Sequence, residues 1–255
     1  MVINEELKEK LKNLADKYET ADFYNGDPSC VLKRYQRIED VECAGFIAAV
    51  LAFGQRKVFL KKIDEILDNA DNFGGPAKWL KSGDFRKSFI PTGIDSNKKF
   101  YRFYSYADFV RLFEVMHDIL NKSTTFGNYF ADLFTTCDYK ENLSALICDS
   151  FKNCKVVPHG KNSANKRINM FLRWMVRKNS PVDLGIWDWY SPADLIIPLD
   201  VHVIQESIKL ELLPENSKGT LKTAIQLTNI LKEIWADDPC KGDYALFGLG
   251  VDNSL

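Results

Sequence analysis

The sequence predicts an all-α protein, and three observations carry that expectation. Apolar residues recur at the 3.6-residue helical period through most of the chain. No run alternates apolar and polar residues for long enough to make a convincing strand. The strongest turn signals, Gly74-Gly75-Pro76 and Pro91-Thr92-Gly93, sit together in one loop-rich region rather than punctuating a sheet. At 255 residues the chain has room for one large domain or two intertwined subdomains. The expected architecture is two helical subdomains with a cleft between them, divided in the loop region 73–105.

Each element follows from its own pattern. Leu7, Leu11 and Leu14 follow Asn4, a good N-cap, and predict a first amphipathic helix over 4–18. After turn residues around Asn25-Gly26-Asp27-Pro28, the stretch 38–53 is apolar nearly all round and reads as a central helix ending at Gly54. The period resumes over 57–70 with Phe59, Ile63, Ile66 and Leu67, and one short helix is expected around Trp79. Further helices are expected at 106–121, 126–135, 140–152, 164–178, 201–211 and 220–235, with a short one near 243–248. No internal repeat or low-complexity tract is visible.

Composition narrows the function. With 45% hydrophobic and 27% charged residues the chain is neither disordered nor fibrous. Its longest apolar run, Phe46 to Phe53, is 8 residues, too short to span a bilayer. The charged N-terminal segment lacks a signal-peptide core, so a cytoplasmic protein is expected. Six scattered cysteines without a CxxC pair read as reduced thiols. Together with histidines only at 117, 159 and 202 they form no zinc or iron–sulfur motif, so no metal is expected.

Net charge is −1, yet residues 151–178 hold eight Lys or Arg and no Asp or Glu, leaving −9 for the rest of the chain. Such a block reads either as an electrostatic footprint for a polyanion or as a solvated helix face. Within it, Ile168, Phe171, Leu172 and Met175 share one side of a helix at about 100° per residue, while Arg173 and Arg177 fall within about 20° of Lys166 on the other. Lys166 lies in the first turn beside Arg167 and just after Lys161, against the dipole preference for acids. A lysine among cations and out of water favours the neutral amine, a nucleophile capable of Schiff-base chemistry. The alternative is one more solvent-facing cation.

The segment Pro198-Leu199-Asp200-Val201-His202-Val203 places a single carboxylate after an apolar run, at the start of a helix. Asp200 reads as an N-cap, or as a carboxylate that stabilises a cationic transition state or shuttles a proton. His202, in the first turn, would face an anion held at that terminus.

This segment resembles the motif of the helix–hairpin–helix DNA glycosylases, especially the 8-oxoguanine glycosylase branch. The resemblance implies that Asp200 is the essential carboxylate, that Lys166 is the catalytic lysine, and that His202 contacts a phosphate. The interval of 34 residues between Lys166 and Asp200 is similar to that of the archaeal branch. Met170 and Phe247, with Asp243 on the closing helix, would form the base pocket. Lys161, Arg167 and Arg173 would join His202 in binding the nucleic acid. One departure is plain: the hairpin glycines expected two and four positions before the lysine are Ala164 and Asn162, with Gly160 the nearest glycine. That hairpin is degenerate or remodelled, which bears on its grip of duplex DNA.

Most of the chain also resembles a bacterial family of unknown function, DUF2400, through Lys166-Arg167, Phe171 to Arg177, Asp183-Leu184-Gly185, Pro198-Leu199-Asp200, Asp40-Val41-Glu42 and Ala49 to Gly54. The implied activity is excision of an oxidised purine from double-stranded DNA through a lysine Schiff base, with no cofactor in the chemistry. The alternatives are a catalytically silent nucleic-acid-binding protein of the same fold and a helical protein-interaction module. Two lesser features remain open. Tyr101 to Tyr106 interleaves aromatics with Arg102, as a single-strand stacking platform or as interdomain packing would. Gly54-Gln55-Arg56 sits where some glycosylases carry a polar wedge.

Overall fold

In the computed structural model, which describes residues 3–24, 26–136, 142–160 and 162–252, helices account for almost all regular structure. They are α1 (Glu5–Tyr18), α2 (Ile38–Leu51), α3 (Arg56–Asp71), α4 (Pro76–Ser82), α5 (Phe85–Ser88), α6 (Tyr106–Lys122), α7 (Phe126–Thr136), α8 (Leu143–Ser150), α9 (Lys166–Val176), α10 (Val201–Lys209), α11 (Leu221–Leu231) and α12 (Lys241–Asp252), with short 3-10 turns between some of them. The all-α expectation holds. A small antiparallel hairpin, β1 (Lys99–Tyr101) with β2 (Tyr104–Ser105), was not anticipated. Strands of three and two residues are too short to show alternation.

The chain divides into two compact units, one of residues 1–24 with 160–255 and one of residues 25–159. The expected division within 73–105 is therefore corrected: that stretch lies wholly inside the second unit. The reason is aromatic packing. Trp79, Phe89 and Phe113 lie with ring centroids 5.0 Å apart for both Trp79–Phe113 and Phe89–Phe113. Phe100 reaches Phe89 at 5.1 Å and Phe109 at 4.9 Å. Loop residues thus supply core that α6 alone would lack.

In this second unit α2 is buried along nearly its whole length, and two of its carboxylates are capping groups. Asp40 accepts from the Ala77 N–H at the start of α4, at 2.9 Å. Glu42 accepts from the Phe126 and Gly127 N–H groups at the start of α7, at 2.8 and 3.0 Å. Buried carboxylates are tolerated here because helix N-termini supply both donors and partial positive charge. His117 is bonded through Nδ1 to the Leu80 carbonyl at 2.8 Å, a structural tie within the unit.

The first unit is built around α12. Here α1 runs along α12, and α10 packs on it as well. Leu11 and Ala15 of α1 are fully buried with Val203, Leu227, Leu231 and Leu246. Close approach requires glycine on α12: a Cβ on Gly248 would lie 2.2 Å from the Tyr18 ring, and one on Gly250 would lie 2.9 Å from His202 Cβ. Asn4 caps α1 by accepting from the Leu7 N–H at 2.8 Å, as its sequence position predicts.

Candidate active site

The first unit gathers the residues singled out on α9, α10 and α12. Helix α9 starts later than its pattern implies, because Asn165 takes a left-handed conformation (φ 46°). Asparagine is among the few residues that accept this region. Its side chain does not cap α9, and its buried Oδ1 has no hydrogen-bond partner among the described residues. The first helical residue is then Lys166, with Arg167 beside it and no acid in the first turn.

Asp200 caps α10, and its two oxygens have separate tasks. Oδ1 accepts from the Val203 N–H at 3.0 Å. Oδ2 stands 3.7 Å from Lys166 Nζ. The pair is neither sealed nor bare, its side chains 29% and 20% exposed. Met170, one turn along α9, brings its sulfur to 3.8 Å from Lys166 Nζ. The nearest charged group described at the Lys166 amine is thus a carboxylate, not the cations its sequence neighbours suggested. Val201, the residue after Asp200, is 66% exposed, an apolar side chain left in solvent.

The far side of α9 is not a solvated or phosphate-binding face, and Arg173 as a nucleic-acid contact is corrected. The residue is 4% exposed, and its guanidinium pairs with Asp243 and, at 3.3 Å, with Asp183. Arg177, also buried, binds Asp183 at 2.5 Å, Glu19 at 2.9 Å and Asp238 at 2.7 Å. Tyr244 donates its hydroxyl to Asp183 at 2.9 Å, with both guanidinium groups near its ring. The physical reason is long-range pairing: burying an arginine demands carboxylates, and these arrive from the residue that ends α1, from the loop after α9, from the turn before α12 and from α12 itself. Gly185 allows the loop to turn back, since its φ is +60° and a Cβ there would lie 2.8 Å from the Arg177 carbonyl.

The basic block consequently divides. Lys152 and Lys155 belong to the other unit, where Lys155 lies 3.7 Å from Asp108. Lys161 falls outside the described residues. Arg167 is half-buried at the start of α9.

Asp243 belongs to this network and is held by Arg173. Burial pushes its carboxyl up to about 6; Arg173 opposes the rise, Asp200 adds to it, and Lys166 opposes it. Phe247 packs its ring at 6.2 Å from both His202 and Phe23. His202 is half-buried in the first turn of α10, its ring edge-on to Phe247. Sequence reasoning placed Asp183 and Asp238 in segments that resemble known families but gave them no chemical role, and it passed over Glu19 entirely. Among the described residues no group of three or more His, Cys, Asp or Glu is arranged to hold a metal ion. None of the described helices is long and apolar enough to cross a membrane.

Comparison with protein families places residues 27–252 in one match, to the family described as "Protein of unknown function (DUF2400)". The chain belongs to the DUF2400 family. The matched span covers nearly all of the second unit and all of α9 to α12, so it holds the Lys166–Asp200 pair and every member of the Arg173–Arg177 network except Glu19. No curated protein and no solved structure matches it.

Proposed function

We propose that this chain is a DNA glycosylase with lyase activity, acting on an oxidised purine of the 8-oxoguanine type. The observation that carries the reading is the Lys166–Asp200 pair: an amine and a carboxylate 3.7 Å apart, each at a helix start and each partly open to solvent. In a structural ion pair neither partner need stay accessible. Here both partners stay accessible, and Val201, which follows Asp200, is an exposed apolar side chain.

The chemistry balances with these two groups. Lys166 passes a proton to Asp200 and attacks C1′ of a nucleotide extruded from the duplex. The N–C1′ bond forms as the C1′–N9 bond breaks, and the base leaves with the electron pair, protonated by Asp200. Opening of the C1′–O4′ bond turns the aminal into an iminium ion as one of the two protons on its nitrogen passes to O4′. The Asp200 carboxylate, regenerated when the base left, then takes a C2′ proton, and the C3′–O3′ bond breaks with its electron pair to expel the 3′ phosphate. Met170 and Phe247 would line the base pocket. Arg167 and His202, at the starts of α9 and α10, would hold flanking phosphates where backbone N–H groups already favour anions.

The test is borohydride trapping on a labelled duplex containing 8-oxoguanine, with an abasic duplex alongside, for wild type and Lys166→Ala. An adduct on the 8-oxoguanine duplex that disappears in the variant is the expected result. An adduct on the abasic duplex alone would reassign the base, and none on either would overturn the enzymatic reading in favour of a nucleic-acid binder.

A further inference from the structure

The hairpin in the second unit presents a surface that the Lys166 chemistry does not use. Its register pairs Lys99 with Ser105 and Tyr101 with Tyr104, which leaves Arg102 and Phe103 at the tip. Phe100, Tyr101 and Tyr104 are buried, but Phe103 is 63% exposed. Leaving such a ring in water forgoes about 1.5–3 kcal/mol of burial, and nothing about a two-residue turn requires phenylalanine. Phe103 is not loose: its ring lies 4.4 Å from that of Tyr104 and 5.8 Å from that of Phe53.

Cations adjoin the surface that carries this ring. Arg102 adopts φ +52° and sits with its guanidinium 5.7 Å from the Phe53 ring. It lies against Gly54, where an added Cβ would come within 2.5 Å of Arg102 Nη1 and 2.9 Å of the Tyr101 hydroxyl. The hairpin tip and the start of α3 are therefore one continuous surface. Exposed Gln55, Arg56 and Lys57 follow Gly54, and the first turn of α3 has no acid and no side-chain cap. That placement runs against the helix dipole unless an anion answers it. No Asp or Glu occurs in 54–63 or in 96–107, and Lys98 and Lys99 approach along the hairpin.

We propose that Phe103, with Arg102 beside it in the turn and Arg56 and Lys57 on the adjoining start of α3, is a binding site for a single-stranded stretch of nucleic acid, one unpaired base stacking on the Phe103 ring while its flanking phosphates meet the cations. The chemistry selects this occupant. A duplex hides its base faces, and an acidic peptide would satisfy the cations yet leave the ring unused. The site goes beyond the glycosylase reading and does not depend on it.

The experiment is a fluorescence-anisotropy titration of the full chain with a labelled single-stranded oligonucleotide carrying one 2-aminopurine, repeated over a range of salt. Phe103→Ala is expected to weaken binding by about 5- to 150-fold and to abolish the stacking quench of 2-aminopurine, while Phe103→Trp retains both. The double variant Arg56→Ala/Lys57→Ala should lower the salt slope by about 1.4, the value for two phosphates on a single strand. Melting temperatures are expected to be unchanged, since all three side chains are exposed. Unchanged affinity in Phe103→Ala would overturn the proposal. So would a wild-type self-association that Phe103→Ala abolishes, because the patch would then belong to a second copy of the chain. Trapping at Lys166 reads a separate event, so the failure of either proposal leaves the other standing.

Discussion

Asp200 serves two masters through one carboxylate: Oδ1 closes the first turn of α10 and Oδ2 faces the Lys166 amine. The roles separate by substitution, because asparagine keeps the capping acceptor and loses the charge. Asp200→Ala removes a cap and should cost about 1 kcal/mol of stability. Asp200→Asn should unfold within a few tenths of a kcal/mol of wild type, since Asn and Asp cap about equally well. If the carboxylate moves the proton in the proposed reaction, both variants lose borohydride trapping, although only one loses stability. Chemical denaturation of the two, run beside the trapping assay, checks this. Trapping that survives in Asp200→Asn would reduce Asp200 to a cap.

At the scale of the element, α9 shows what a sequence pattern carries and where it stops. The periodicity of Ile168, Phe171, Leu172 and Met175 locates the helix and its buried side. The same periodicity puts Arg173 and Arg177 on an opposite side that looks solvated, because a charged side chain in one segment says nothing about distant partners. Those partners are Glu19, Asp183, Asp238 and Asp243, up to 158 positions away in sequence. Elements set by local signals, such as α1 under its Asn4 cap or α6 under the Ser105–Asp108 capping box, were legible to within a residue or so. The β1–β2 hairpin and the buried ion-pair network were not. Lys166 and Asp200 were legible as separate segments, and their resemblance to a motif, not their spacing, brought them together.

The network also makes α9 sensitive to pH in a definite direction. Asp243 is raised by burial to about 6, so the folded chain holds a proton there that the unfolded chain would release. Its favourable contribution is complete below the ordinary carboxylate range and is lost as pH rises through about 6. Arg173 is what offsets the charged form above that pH. Arg173→Met should therefore destabilise by about 3–5 kcal/mol at pH 8, the usual result of stranding a buried carboxylate. The loss should shrink toward pH 5, where Asp243 carries its own proton. Denaturant melts of both proteins across pH 5 to 8 read this, and a pH-independent difference would show that lost packing, not charge, governs the site.

On the scale of the whole molecule the two units are unlike in chain order. Residues 25–159 run continuously, whereas the first unit needs both ends of the chain. Its core depends on α1: Leu11 and Ala15 are fully buried with residues of α10, α11 and α12, and Tyr18 fills the space over Gly248. Glu19 adds a carboxylate to Arg177. A chain of 160–255 alone would expose that apolar surface and leave Arg177 one partner short, so it should not fold cooperatively. The segment 25–159 carries its own aromatic core and its own buried caps at Asp40 and Glu42, and should unfold as a single cooperative transition. Adding a peptide of residues 1–24 to the 160–255 fragment should restore helical circular dichroism and a thermal transition, with Leu11→Asp in the peptide abolishing the rescue. Because Lys166 and Asp200 stand on α9 and α10 of this unit, the arrangement of the candidate site rests on the first two dozen residues, which supply none of its chemistry. A 160–255 fragment that melted cooperatively by itself would free the site from α1 and remove that dependence.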